Sequence, residues 1–94
     1  MKTITGFKLR QLGNEFILVG ESIELINFNK MITLNETAGF LWEKAEELTH
    51  SHGAFDTSGL CKALCAEYEV SPVQAMTDVE ATIASWKEAG VIEG

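Results

Sequence analysis

The stretch ITLNETAGFLWEKAEEL, Ile32 to Leu48, changes its hydrophobic period midway, and that change most narrows what the chain can build. Upstream, from Phe7 to Leu34, the pattern is strand-like. FKLRQL alternates apolar and polar residues, Gly13-Asn14 offers a turn, and EFILVG resumes a β-rich run. Gly20-Glu21-Ser22 interrupts the pattern before IELINF, and Asn29-Lys30 turns the chain into MITL. This reads as an antiparallel meander of three or four short strands.

Downstream of Asn35 the period is helical. Asn35 is a good N-cap, and Glu36 in the first turn suits the positive end of the helix dipole. Ala38, Leu41, Trp42, Ala45 and Leu48 follow the spacing of one helix face, leaving Glu43, Lys44, Glu46 and Glu47 to water. Asp56 caps a second helix with Leu60, Leu64 and Tyr68 on one face and Cys61 and Cys65 beside them. In VSPVQA, Ser71 is the N-cap of a third, Pro72 takes N1, and Gln74 at N3 completes a capping box. Met76, Val79, Ile83 and Trp86 form its stripe. Gly90 ends it, with Val91 folding back onto Trp86 as in a Schellman motif. The expected helices are 36–49, 57–69 and 72–89, preceded only by strands. The fold class is therefore α+β, and residues 1–94 read as one domain without repeat, low-complexity tract or linker.

Composition decides what such a domain can do. A chain of 94 residues with 46% hydrophobic content can bury one core. No apolar run approaches the roughly 18 residues that span a bilayer. The N-terminus MKTITGFKLRQLG has no signal-peptide h-region, so a cytoplasmic location is expected. With 14 acidic against 7 basic side chains, the net charge of −7 repels phosphate backbones. Three helices beside a β-ribbon are the parts of a winged helix-turn-helix, but the third helix sets Asp78, Glu80 and Glu88 against Lys87 alone. Counterion release supplies no affinity from such a face, and nucleic acid is excluded as a partner.

Catalytic and metal chemistry find no foothold either. There is no Gly-rich phosphate loop, G-x-S-x-G or H-E-x-x-H. His50 and His52 precede Cys61 and Cys65 in the wrong order and spacing for a zinc site, and the two cysteines read as free buried thiols. No enzyme activity, cofactor or metal is expected. The chain reads as a binding module.

LNETAGFLWE, the run LCKALCAEYEVSPVQAMTDVEATIASWKEAGVIE and the earlier FKLRQLGNEFILVG together resemble the PqqD family, over about Phe7 to Glu93. The L-N-E-T-A junction followed by an aromatic residue carries much of the likeness. So do Asp78-Val79 and the closing Ala89-Gly90-Val91-Ile92. The resemblance implies a winged helix-turn-helix-like RiPP recognition element, a peptide chaperone. Such proteins bind the leader segment of a ribosomally made precursor peptide and present it to a modifying enzyme, often a radical SAM maturase, in natural-product or cofactor biosynthesis. One departure is EELTHSHGAFD, which stands where the family commonly has a short Asp-Gly turn.

A meander has an edge whose main-chain groups an extended peptide can pair with. In the family the receiving strand precedes the first helix and the third helix forms the other wall. The resemblance therefore places peptide binding at Met31, Ile32 and Thr33, with Asp78, Thr82, Ser85 and Trp86 opposite. Ile32 and Trp86 also fit ordinary core positions. The same edge offers a monomer a route to a weak homodimer. A small acidic regulatory or protein-interaction domain of winged-helix shape, acting on no RiPP precursor, is the alternative reading.

Overall fold

The computed structural model describes residues 1–20 and 31–94. The expected strand IELINF and the Asn29-Lys30 turn lie outside the described residues. Strands β1 (Lys2–Thr3), β2 (Phe7–Leu12), β3 (Glu15–Gly20) and β4 (Met31–Leu34) come first. Helices α1 (Glu36–His52), α2 (Thr57–Glu67) and α3 (Pro72–Ala89) follow, and β5 (Ile92–Glu93) ends the chain.

The alternation in FKLRQL and EFILVG produces an antiparallel sheet in the order β2-β3-β4. Gly13, at φ 64, and Asn14 close the β2–β3 hairpin, so that Leu12 faces Glu15 and Phe7 faces Gly20. A positive φ is where glycine costs least, which fixes the register of every pair behind the turn. On β4, Leu34 is buried, Thr33 is exposed and Ile32 is half-buried against the core.

The helix starts are those expected. Asn35 Oδ1 accepts from Ala38 N at 2.8 Å, Asp56 Oδ1 from Gly59 N at 2.7 Å, and Ser71 Oγ from Gln74 N at 3.1 Å. The end of α3 is a Schellman motif: Val91 N donates to Trp86 O and Gly90 N to Lys87 O, both at 3.2 Å. Half of the capping box is not made. The Gln74 amide instead donates to Asp78 Oδ1 at 2.8 Å, a charge-assisted bond that turns its side chain along the helix and away from the Ser71 N–H.

Four local expectations are corrected. Helix α1 continues through His50, Ser51 and His52 to Gly53, at φ 83. Thr49 and Ser51 hydroxyls donate to the carbonyls of Ala45 and Glu47 within this polar last turn, which lacks an apolar face. Helix α2 stops at Glu67, and Tyr68 is an extended cap whose ring meets Phe40 edge-on at 5.5 Å. The buried stripe of α3 is Ala75, Val79, Ile83 and Trp86, while Met76 is 41% exposed. The thiols are not core: Cys61 is half-buried and Cys65 exposed, since Leu60 and Leu64 occupy the inward face of α2.

The core is centred on Trp42 and Trp86, whose rings cross edge-to-face at 5.2 Å, with Phe55 against Trp86 at 6.4 Å. Burying two indoles gives a small protein a large part of its apolar area. A second, two-stranded sheet ties the first residues to the last: β1 pairs with β5, Ile4 N donates to Val91 O, and Phe55 N to Met1 O.

Candidate functional site

Strand β4 bonds to β3 on one side, and its other edge carries no strand among the described residues. Its position follows from the sequence at both ends. Pairing of Met31 through Leu34 with Val19 through Phe16 fixes the strand, and the Asn35 cap turns the chain directly into α1. Helix α3 runs past this junction with Trp86 anchored in the core.

Between them lies a groove of about 270 Å³ lined by Thr33, Leu34, Asn35, Ala38, Ala81, Thr82, Ser85 and Trp86. Small side chains at Ala38, Ala81 and Ser85 keep it open. Trp86 contributes a wall while remaining 1% exposed, so one indole both fills the core and lines the groove. Its Nε1 is buried and without an acceptor among the described residues. Leaving such a donor unpaired costs on the order of 1–3 kcal/mol, yet the indole's packing outweighs it.

Four of the seven residues named from sequence, Thr33, Thr82, Ser85 and Trp86, meet in this groove. Met31 and Ile32 share its strand, pairing with Val19 and Leu18, and Ile32 packs against the core. Asp78 lies one turn above Thr82, whose hydroxyl donates to the Asp78 carbonyl at 2.8 Å. Its own carboxylate is occupied by Gln74, which fixes a negative charge at that end of α3. Sequence reasoning missed Leu34, Asn35, Ala38 and Ala81 as lining residues. The helical spacing that joined Asp78, Thr82 and Ser85 also passes through Ala81, and was the available signal.

Burial, then the carboxylates of Glu36 and Glu67, holds the Tyr68 phenol above its ordinary range. Among the described residues no three His, Cys, Asp or Glu side chains are placed to hold a metal ion. His50 and His52 sit in the last turn of α1, where positive charge suits the dipole. No helix of the described residues is long and apolar enough to cross a membrane.

A three-stranded antiparallel meander followed by three helices, with an edge beside the last helix that carries no strand among the described residues, defines an α+β protein of one recognisable class. The chain belongs to the PqqD family, whose model, described as Coenzyme PQQ synthesis protein D (PqqD), matches residues 16–92. Two solved structures share the fold. One, TbiB1 in complex with the TbiA(beta) leader peptide, has a TM-score of 0.76 at 19% identity, covering 100% of this chain and 96% of that one. The other, a lasso peptide synthetase B1 complexed with the leader peptide, has a TM-score of 0.70 at 22% identity, covering 99% and 96%. No curated protein matches the chain by sequence.

Proposed function

We propose that this protein is a non-catalytic recognition element for the leader segment of a ribosomally made precursor peptide. The leader adds as a strand to the edge of β4 away from β3, and its alternate side chains enter the groove against α3. One observation carries the reading: the edge of β4 that carries no strand among the described residues borders a groove sized for a side chain, with Thr33 on one wall and Thr82 and Ser85 on the other. Main-chain pairing supplies affinity in this mode of recognition, and the pockets supply selectivity. Membership of the PqqD family and a fold shared with two leader-peptide complexes support it. Met31, Ile32 and Thr33 act through the strand, and Asp78, Thr82, Ser85 and Trp86 through the facing helix. The bound leader is presented to a modifying enzyme, of radical SAM type by the family resemblance.

The test is titration of the protein with the leader of a short precursor encoded beside its gene, followed by backbone amide shifts. Saturable binding with the largest shifts at β4 and in the Ala81–Trp86 turn is the expected result. Saturation confined to other surfaces would reject the site, and no saturation with any neighbouring precursor would reject the function.

A further inference from the structure

Away from the peptide groove, the α2–α3 pair carries three sulfur-bearing side chains that the proposed function does not use. Cys61 and Cys65 stand four residues apart on α2, and the Cys61 thiol donates to Met76 Sδ of α3 at 3.9 Å. All three are within reach of solvent: Cys65 is exposed, Cys61 half-buried and Met76 41% exposed.

Their spacing argues against the two commonest fates of paired thiols. Residues four apart on a helix hold their Cβ atoms about 5–6 Å apart. A disulfide needs about 3.5–4.5 Å, so it cannot close while α2 stays helical. Nor is Cys61 an activated nucleophile. Burial first, then Cys65 and the Glu80 carboxylate, push its thiol above the ordinary range, and the nucleophile is the thiolate.

A cation between the sulfurs reverses both obstacles. It bridges a gap too wide for a disulfide, and its positive charge favours the thiolate form of the sulfurs that hold it. A metal–sulfur bond of about 2.3 Å, as in zinc thiolates, sets sulfurs about 4.0 Å apart when they surround an ion trigonally. The Cys61–Met76 separation of 3.9 Å already has that value. Thioether donors are poor ligands for hard ions and select soft ones, Cu(I) foremost.

We propose that Cys61, Cys65 and Met76 form a three-sulfur site for a soft monovalent ion, Cu(I), on the face of the α2–α3 pair. Each thiol passes its proton to solvent as a copper–thiolate bond forms, and Met76 lends a lone pair without losing a proton. The metal keeps its oxidation state throughout, so no oxidant or reductant enters the step. Because two protons leave per ion, affinity should climb about a hundredfold per pH unit while both thiols remain protonated.

The experiment supplies Cu(I) anaerobically to the full chain in competition with the coloured chelator bicinchoninate. The parental protein should withdraw one equivalent, and Cys61→Ala and Cys65→Ala should each abolish that uptake. Met76→Leu keeps the shape of the side chain and should weaken uptake about tenfold, the scale on which metal sites respond to loss of a supporting group. Circular dichroism should show all three variants folded, since none of these side chains is in the core. The site is overturned if Met76→Leu binds like the parent, if Zn(II) at equal concentration displaces Cu(I), or if removing both cysteines leaves uptake unchanged. An affinity rising by only one proton's worth with pH would also reject it.

Discussion

The helices and the three-stranded sheet are built to different standards. Of the largest side chains shut off from water, Trp42, Leu41, Leu60, Leu64, Val79 and Trp86 are on helices and Val91 follows α3 directly. Among the described residues the sheet contributes Leu18 alone to that group, and β2 leaves Lys8, Arg10, Gln11 and Leu12 exposed. A helix satisfies its backbone internally, so it can spend every inward side chain on the core. A small sheet always leaves an edge, and here the β4 edge, which carries no strand among the described residues, is set beside the helical half of the molecule. The difference separates what keeps the protein folded from what it offers to a partner.

The sharpest way to break this division is to empty the helical core. Trp42→Ala removes a ring packed against Trp86 and should cost about 3–5 kcal/mol, read from denaturant unfolding. If Leu18→Ala in the sheet cost as much or more, the sheet would be an equal partner in stability and the contrast would fail.

The seam between the halves should respond less, but measurably. Gly39 of α1 lies against Phe16 of β3 so closely that an added Cβ would sit 2.8 Å from Phe16 Cγ. Gly39→Ala normally gains helix propensity, yet here overpacking should dominate, for a net loss of about 1–3 kcal/mol. A stabilised variant would show that the sheet gives way freely and is not held by the helix beneath it.

Proline on β4 should divide folding from binding most cleanly. Successive residues of an antiparallel strand direct their amides alternately toward and away from the partner strand. Ile32→Pro and Thr33→Pro therefore sample both directions. The variant whose amide faces β3 should lose stability. The other should stay folded by circular dichroism and lose leader affinity by about 1–3 kcal/mol, roughly fivefold to 150-fold. Glu47→Ala on exposed α1 is the control, removing only a surface contact with Lys44. If both proline variants fold and bind like the parent, strand addition is wrong and the peptide site belongs to the helices alone.

The same division explains which features could be read from sequence. Caps, a stop at glycine and apolar periods are local signals, so Asn35, Asp56, Ser71-Pro72 and Gly90 located the helices. The meander was legible from alternation and Gly13-Asn14. The β1–β5 clasp was not, because two-residue strands from opposite ends carry no period and owe their pairing to tertiary proximity. The last turn of α1 was missed because hydroxyl-to-carbonyl bonds, not an apolar face, accompany it. Met76 and the cysteines were assigned to the core because positions at the margin of an apolar stripe look the same in sequence whether or not a neighbour covers them. At the groove, family resemblance led to Thr33, Thr82, Ser85 and Trp86, whereas the neighbouring Ala38 and Ala81 line it through being small and offer no chemical signature.

The smallest expected effect concerns salt, and it tests whether the exposed acidic surface takes part in recognition at all. The chain carries a net charge of −7, and Asp78 holds one of its carboxylates at the head of the helix wall. A leader with basic character should therefore bind somewhat more tightly at low ionic strength. These charges are solvated, so the attraction works mainly through approach and orientation rather than through a buried pair. Raising salt from roughly 0.01 to 0.15 M shortens the screening length from about 30 Å to about 8 Å and should weaken binding by no more than about fivefold. Asp78→Asn should remove part of that dependence while leaving affinity at high salt nearly unchanged. Calorimetric titration of both proteins across the salt range measures each quantity directly. If affinity is flat with salt, main-chain pairing at β4 and apolar side chains in the groove carry recognition unaided, and the acidic surface serves only to keep the domain in solution.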